Sequence, residues 1–325
     1  MNAARNHHFL SQFYLKGFTK NGSKHSKLVA VDLIDSKAFE TTPRNVGAER
    51  DFNYIEGLPY DAVENSLARF EGTVAKSIGK IGAAGNLRDQ DALIDVLNLL
   101  CLFAIRNPRL RDNVRQFQES VARQILDMSL ATRERWESQV RQMIKAGVWD
   151  APPIVPYEQL KKDNDDGGYR ITVPRARLIQ MEFKVFDSVL PHLVGRNWTL
   201  CIASTGSGGF ITSDHPVCLM WSDGSPSTSN RPVGYGLTGT TVVFPLTSEL
   251  LMVGIFDGAG GRRALTPLQV ATFNGIVAHH VERQVYASNS QARVLLPGLD
   301  APITFAVLPE YMKVQRRRTQ KTKRR

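Results

Sequence analysis

Asp61-Ala-Val-Glu-Asn-Ser-Leu-Ala-Arg-Phe-Glu-Gly-Thr-Val-Ala-Lys-Ser-Ile-Gly-Lys-Ile81 is where the chain changes its periodicity, and that change sets the fold class. Val63, Leu67, Phe70, Val74, Ile78 and Ile81 recur every three or four residues, the spacing of one buried helix face. Asp61 stands at the N-cap position after Pro59, and Gly79, Gly82 and Gly85 mark the end. Upstream the pattern is different. Residues 28–32 read as a short strand followed by a loop to about Asn45, and residues 51–55 as another extended piece. Downstream a second helix opens at Asp89 and carries Leu93, Val96, Leu97, Leu100, Phe103 and Ala104 until Asn107-Pro108 stops or kinks it.

A third helical stretch, about residues 110–146, is rich in Arg, Gln and Glu, and breaks near Thr132; it reads as a lid or an arm. Residues 151–156 form a stiff proline connector and 161–168 a charged loop ending in glycine. Another helix is expected over 174–193, strands over 198–203, 210–212, 240–245 and 250–256, and a last helix from Pro267. The expected fold class is α+β. An N-terminal β segment and a mostly antiparallel C-terminal sheet pack on helices, in a single domain over 1–312 with a helical lobe at about 61–146.

With 325 residues, 42% of them hydrophobic, the chain has enough apolar surface to fold without covalent staples. Cys101, Cys201 and Cys218 are odd in number and lack C-x-x-C spacing, which points to neither a disulfide framework nor a zinc knuckle, and suits a reducing cytoplasm. No signal peptide is read at the start, and apolar runs such as 96–105 are about half of the roughly 20 residues a membrane span needs. No membrane partner is expected. The net charge of +10 is mostly local: residues 313–325 hold eight Lys or Arg and no acid, leaving 33 bases against 31 acids in the rest. That tail is too polar to fold alone and would attract nucleic acid or another polyanion, unless it is a solubilising end with no dedicated partner.

The beginning of the chain, Asn6-His7-His8-Phe9-Leu10-Ser11-Gln12-Phe13-Tyr14-Leu15-Lys16-Gly17-Phe18, sets two imidazoles, an amide and a phenol among apolar residues. Polar groups in such company need partners, so a later segment is expected to return to meet them. Other motifs are Glu64 and Glu71 on the helix, Arg106-Asn107-Pro108-Arg109, and Phe210-Ile-Thr-Ser-Asp-His-Pro-Val217. Phe244-Pro245-Leu246, Asn274 and Arg283-Gln-Val-Tyr286 complete the set. Together and in this order they resemble the DUF4238 family, which is widespread in bacteria and has no established activity. The resemblance runs from His7 to Tyr286, implies an architecture rather than a reaction, and leaves out the tail. The family usually reads T-S-D-N-P where this chain carries His215 in place of the asparagine.

Glu64 and Glu71 are seven residues apart, so two helical turns bring both carboxylates to the same face. With Asp214 and an imidazole from His7 or His8 they would make an oxygen-and-nitrogen cage for Mg²⁺ or Mn²⁺, capable of activating water. The bland reading pairs each glutamate with Arg69, Arg106 or Lys76. Ser213-Asp214-His215 is not a catalytic triad, because adjacent residues in an extended turn diverge; Asp214 suits a turn-capping role as well as a ligand-contacting one. His279 and His280 lack the i, i+4 spacing of a metal pair. Asn274, among apolar neighbours on the last helix, is an amide suited to fixing a nearby loop, and Arg283 could neutralise an acid of the site.

Two functions are open at this level. One is a metal-dependent hydrolase acting on nucleic acid or a nucleotide: catalytic His7, His8, Glu64, Glu71 and Asp214, with Gln12, Arg106, Ser213, Asn274 and Arg283 contacting substrate. The other is a non-enzymatic binding or effector module, in which the polar cluster ties down the N-terminal segment and the tail engages polyanions.

Overall fold

The computed structural model describes residues 5–312; the basic tail, with its expected polyanion contacts, lies outside the described residues. It divides into two compact units, one formed by the chain up to Pro108 and from Met181 onward, the other by Arg109–Gln180. The fold is α+β. Among the described residues no helix is long and apolar enough to cross a membrane.

The larger unit begins with β1 (Asn6–His8) and the short helix α1 (Gln12–Leu15), followed by strands β2 (Leu28–Asp32), β3 (Lys37–Thr41) and β4 (Ala48–Arg50). β1 pairs antiparallel with β4, setting His7 opposite Glu49. The loop expected after residue 32 is in fact β3, which runs back along β2 with Asp32 opposite Lys37. Only one of its residues is a large apolar one, so its sequence signal is weak, and its pairing to β2 supplies what propensity does not. Residues 51–53, expected to be extended, are a turn with Asp51 at φ +60°.

Helix α2 (Ala62–Ala84) packs on α3 (Gln90–Ile105). Asp89 caps α3 by accepting the Ala92 N–H at 3.0 Å. The helical lobe expected over 61–146 therefore divides: α3 is buried along most of its length, from Val96 to Ile105, and belongs to the larger unit. A helix apolar on every side has to sit inside a core.

The smaller unit is built from α4 (Pro108–Ser129), α5 (Arg133–Lys145) and α6 (Tyr157–Asp165). Thr132 breaks the first two as its hydroxyl accepts the Arg135 N–H. Tyr157 donates to the Leu130 carbonyl at 3.0 Å, and Trp136 meets Trp149 edge-on at 6.1 Å. The charged loop expected at 161–168 is mostly α6, because Glu158, Gln159, Leu160, Lys161 and Lys162 are good helix formers whose propensity prevails until Gly167.

Helix α7 (Arg175–Val194) leads back to the larger unit and its main sheet: β5 (Asn197–Ile202), β7 (Cys218–Trp221), β8 (Thr240–Pro245), β9 (Leu250–Ile255) and β10 (Gly261–Ala264). The order is β10-β5-β9-β8-β7, antiparallel except for the β10–β5 edge. A second sheet, β3-β2-β11-β6, joins both ends of the chain: β6 (Thr212–Ser213) and β2 flank β11 (Gln284–Ala287) on either side. Helix α8 (Pro267–His280) opens with Thr266 and Gln269 exchanging hydrogen bonds as a capping box. It packs on β6, β7 and the small β12 (Arg293–Val294), which pairs with β13 (Ile303–Thr304). One apolar cluster takes in Val31 of β2, Val243 of β8, Val270 and Val277 of α8, Val285 of β11 and Phe305.

Two contacts lock this arrangement. Tyr14, fully buried and stacked 5.6 Å from Phe244, touches Thr212 Oγ1 of one sheet and donates to the Pro245 carbonyl of the other, each at 2.7 Å. Gly275 lets residues 293–296 lie against α8: a Cβ there would come within 1.8 Å of the Leu295 carbonyl oxygen.

Candidate functional site

The opening segment is indeed met by later residues. Strand geometry sends His7 and His8 to opposite faces of β1. His7 is 1% exposed, and its Nδ1 accepts the Asn53 backbone N–H at 3.0 Å. With Nδ1 accepting, the ring proton belongs on Nε2, which is buried and has no hydrogen-bond partner among the described residues. Tyr60 packs against this ring at 5.1 Å and is itself stacked on Tyr54. His8 also has a buried Nε2 without a hydrogen-bond partner among the described residues. Burial lowers its pKa, opposed by the Pro43 and Arg44 carbonyls and by the negative charge of Glu64.

Asn53, 2% exposed, is the hub. Its amide N–H donates to Glu64 Oε1, while its carbonyl oxygen accepts from Arg106 Nη2 at 2.7 Å. The same Arg106 nitrogen donates to the His8 carbonyl at 3.2 Å, and the guanidinium lies 5.5 Å over the Phe52 ring. Arg106 reaches this position because α3 terminates there, before Pro108. Two turns along α2 from Glu64 is Glu71, whose carboxyl is pushed up to about 7. Burial is the main cause and the charge of Glu64 adds to it, while Arg106 opposes both.

The structure thus joins His7, Glu64 and Arg106 through Asn53, and places the His8 and Glu71 side chains within reach of the Glu64 charge. Asn53 and Tyr60, which sequence reasoning missed, belong to this group as well. A signal was present: Asn53 stands between Phe52 and Tyr54, an amide among rings, as the histidines do.

Asp214 does not join them. Its Oδ1 accepts the Glu282 N–H at 3.0 Å, and its Oδ2 accepts those of Arg283 and Gln284 at 2.7 and 2.9 Å. It caps the approach to β11, and the expected Glu64, Glu71 and Asp214 ligand set is not assembled. Among the described residues no three His, Cys, Asp or Glu side chains converge as a metal-holding group. Ser213, fully buried, accepts the His215 N–H in its own turn. Gln12 is half-buried on α1.

Asn274, also fully buried, accepts the Ile211 N–H at 3.0 Å and donates to the carbonyls of Gly209 and Arg293 at 3.0 and 2.8 Å. Arg283 neutralises an acid, but one that sequence reasoning had not singled out: its Nε donates to Asp32 Oδ2 at 2.7 Å. Asp32 is buried, which opposes ionisation. Hydrogen bonds from Gln284, the Ile34 and Asp35 N–H groups and Arg283 nevertheless hold it below the usual carboxylate range.

The motif residues therefore divide by what their polar atoms do. Asp214, Asn274, Tyr14 and Arg283 spend theirs on backbone groups or on an ion pair. His7 and His8 each retain a buried Nε2 with no hydrogen-bond partner among the described residues.

No curated protein and no solved structure matches the chain. The model of one family, described as a protein of unknown function (DUF4238), matches residues 6–291, which takes in both groups of motif residues. The chain belongs to the DUF4238 family.

Proposed function

We propose that His7, His8, Glu64, Glu71 and Arg106, three of them linked through Asn53, form an acid–base centre for hydrolysis of an anionic substrate, a phosphate ester of a nucleotide or nucleic acid. The observation that supports this best is the Glu71 carboxyl at about 7, beside a second carboxylate and a guanidinium. A group poised near neutrality both takes a proton from water and returns one to a leaving group. Arg106 supplies positive charge toward an anion, and the unpartnered Nε2 atoms of His7 and His8 offer one donor and one further proton-transfer site. Mg²⁺ or Mn²⁺ enters this reading as the companion of substrate phosphates, since such ions are commonly held by one or two carboxylates plus phosphate oxygens.

A second reading, a binding or effector module, is favoured by a different observation. Asp214, Asn274 and Tyr14 of the same family pattern all satisfy groups inside the fold. The chain from His7 through Asn53 to Glu64 and Arg106 would then serve to anchor the N-terminal segment.

The two are separated by Glu71→Gln, assayed on phosphomonoester and phosphodiester probes with and without Mn²⁺, alongside thermal unfolding. Turnover by the parent, lost in a variant that unfolds no earlier, supports the hydrolase. A parent inactive on every probe, with a destabilised variant, favours the binding module.

A further inference from the structure

Of the 22 residues of α4 only Arg111 is buried, although the helix carries a continuous apolar stripe. Phe117, Val121, Ile125 and Met128 lie along it, with exposures from 36% at Val121 to 69% at Phe117, and the half-buried Val114 extends the line. An amphipathic helix draws most of its stability from burying such a stripe, and the smaller unit leaves this one uncovered. The spacing is symmetric. From Val121 the stripe reaches Phe117 and then Val114 in steps of four and three residues, and Ile125 and then Met128 in the same steps the other way. Two copies related by a two-fold axis at Val121 set Val121 against itself, Phe117 against Ile125 and Val114 against Met128, in the three-and-four spacing of a helix–helix seam. A groove of about 350 Å³ lies between α4 and α5 beside Ile125 and Met128, with Arg135 also in its wall. The same axis directs the partner's Phe117 toward this groove, where a guanidinium suits the face of a ring.

Charge selects the occupant. At about 100° per residue, the α4 positions within about 80° of Val121 hold apolar residues, Asn113, Gln118, Gln124 and Ser129, and the buried Arg111. Among these positions there is no carboxylate for a basic segment such as residues 313–325, and no exposed cation for an acidic peptide. A second copy presents the same neutral stripe, so no like charges meet along the seam. We propose that this face of α4 is a dimer interface, on which a second copy of this chain lays its own α4 antiparallel about a two-fold axis at Val121. The four exposed side chains present roughly 400 Å² of apolar surface per copy, and with the neutral polar residues beside them the pair buries about 1,200 Å² in total. That is the lower end for a specific interface, so self-association in the micromolar range is expected. The inference goes beyond the acid–base centre and does not depend on it.

Sedimentation velocity of the full chain, from about 1 to 300 µM, tests it. The parent is expected to pass from monomer to dimer over this range, whereas Val121→Arg, which puts two like charges on the axis, stays monomeric with an unchanged circular dichroism spectrum. Phe117→Gln is the milder variant. It replaces an exposed ring with a good helix former, so the fold remains while dimerisation weakens about tenfold or more. Cross-linking reads the orientation. The three native cysteines are buried, so oxidation should join only introduced thiols. Val121→Cys is expected to give a disulfide-linked dimer and Met128→Cys is not, since an antiparallel pair brings only the central position against itself and a disulfide needs that close approach. A parent that is monomeric throughout, a dimer that either Val121→Arg or Phe117→Gln leaves intact, or cross-linking of Val121→Cys no greater than that of Met128→Cys would each overturn the assignment.

Discussion

Replacing Glu71 with glutamine should stabilise the protein in alkali and do so far less in mild acid. The native carboxyl is pushed from its ordinary 4.5 to about 7, chiefly by burial and also by Glu64. Between these two values the folded chain holds a proton that the unfolded chain has released. Folding stability due to this group therefore falls as pH rises through that window and is lowest above 7. The displacement corresponds to about 3 kcal/mol. Partial solvent access to a half-buried carboxyl reduces this, so a gain of about 1–3 kcal/mol at pH 8.5 is expected for the glutamine variant. At pH 5, still slightly above the unfolded value, the difference should fall to about a quarter of that. Urea unfolding of parent and variant at pH 5, 7 and 8.5 measures it, and the comparison cancels contributions from other titrating groups such as His8. An equal loss of stability at all three pH values would refute the reasoning, because it would mean that the fold needs the Glu71 carboxylate itself.

The remaining expectations concern the residues that bracket the fold. Asn274→Ala orphans the Ile211 N–H and the carbonyls of Gly209 and Arg293, and should cost about 3–5 kcal/mol in a urea titration. Gly275→Ala drives a methyl into the Leu295 carbonyl, so a loss above about 3 kcal/mol, or failure to obtain folded protein, should be seen by circular dichroism. Tyr14→Phe keeps the stack on Phe244 but removes both hydroxyl contacts, for which thermal unfolding should register about 1–2 kcal/mol.

Those elements whose apolar period is carried by their own residues were legible from the sequence: α2, α3, α7, α8 and the strands near 198, 240 and 250. The segments at 37–41 and 284–287 were not, because their strand character comes from partners distant in the chain. β11 is fixed by β2 and β6 on its two sides rather than by its own four residues. The candidate site was half legible for a similar reason. Helical spacing places Glu64 and Glu71 on one face, and the opening motif announces buried imidazoles. Neither says that Asn53 would join them, nor that Asp214 would turn toward three backbone N–H groups. Side chains that satisfy the backbone and those that face a ligand share the same residue types, and only the direction of their hydrogen bonds distinguishes them.

The placing of β11 between β2 and β6 also has a consequence for biosynthesis. Asp32 waits for Arg283 across 251 positions of chain. At roughly 5–20 residues per second, the ribosome delivers that partner about 12–50 s after the β2–β3 hairpin has emerged. Throughout that interval one side of β2 has unsatisfied amides and carbonyls, an invitation to any other extended chain. The nascent protein therefore needs either a chaperone over this hairpin or slow collapse until the last helix has passed. A pause in translation before residues 284–287 have left the ribosome should increase aggregation, whereas a pause once they have left it should have no such effect.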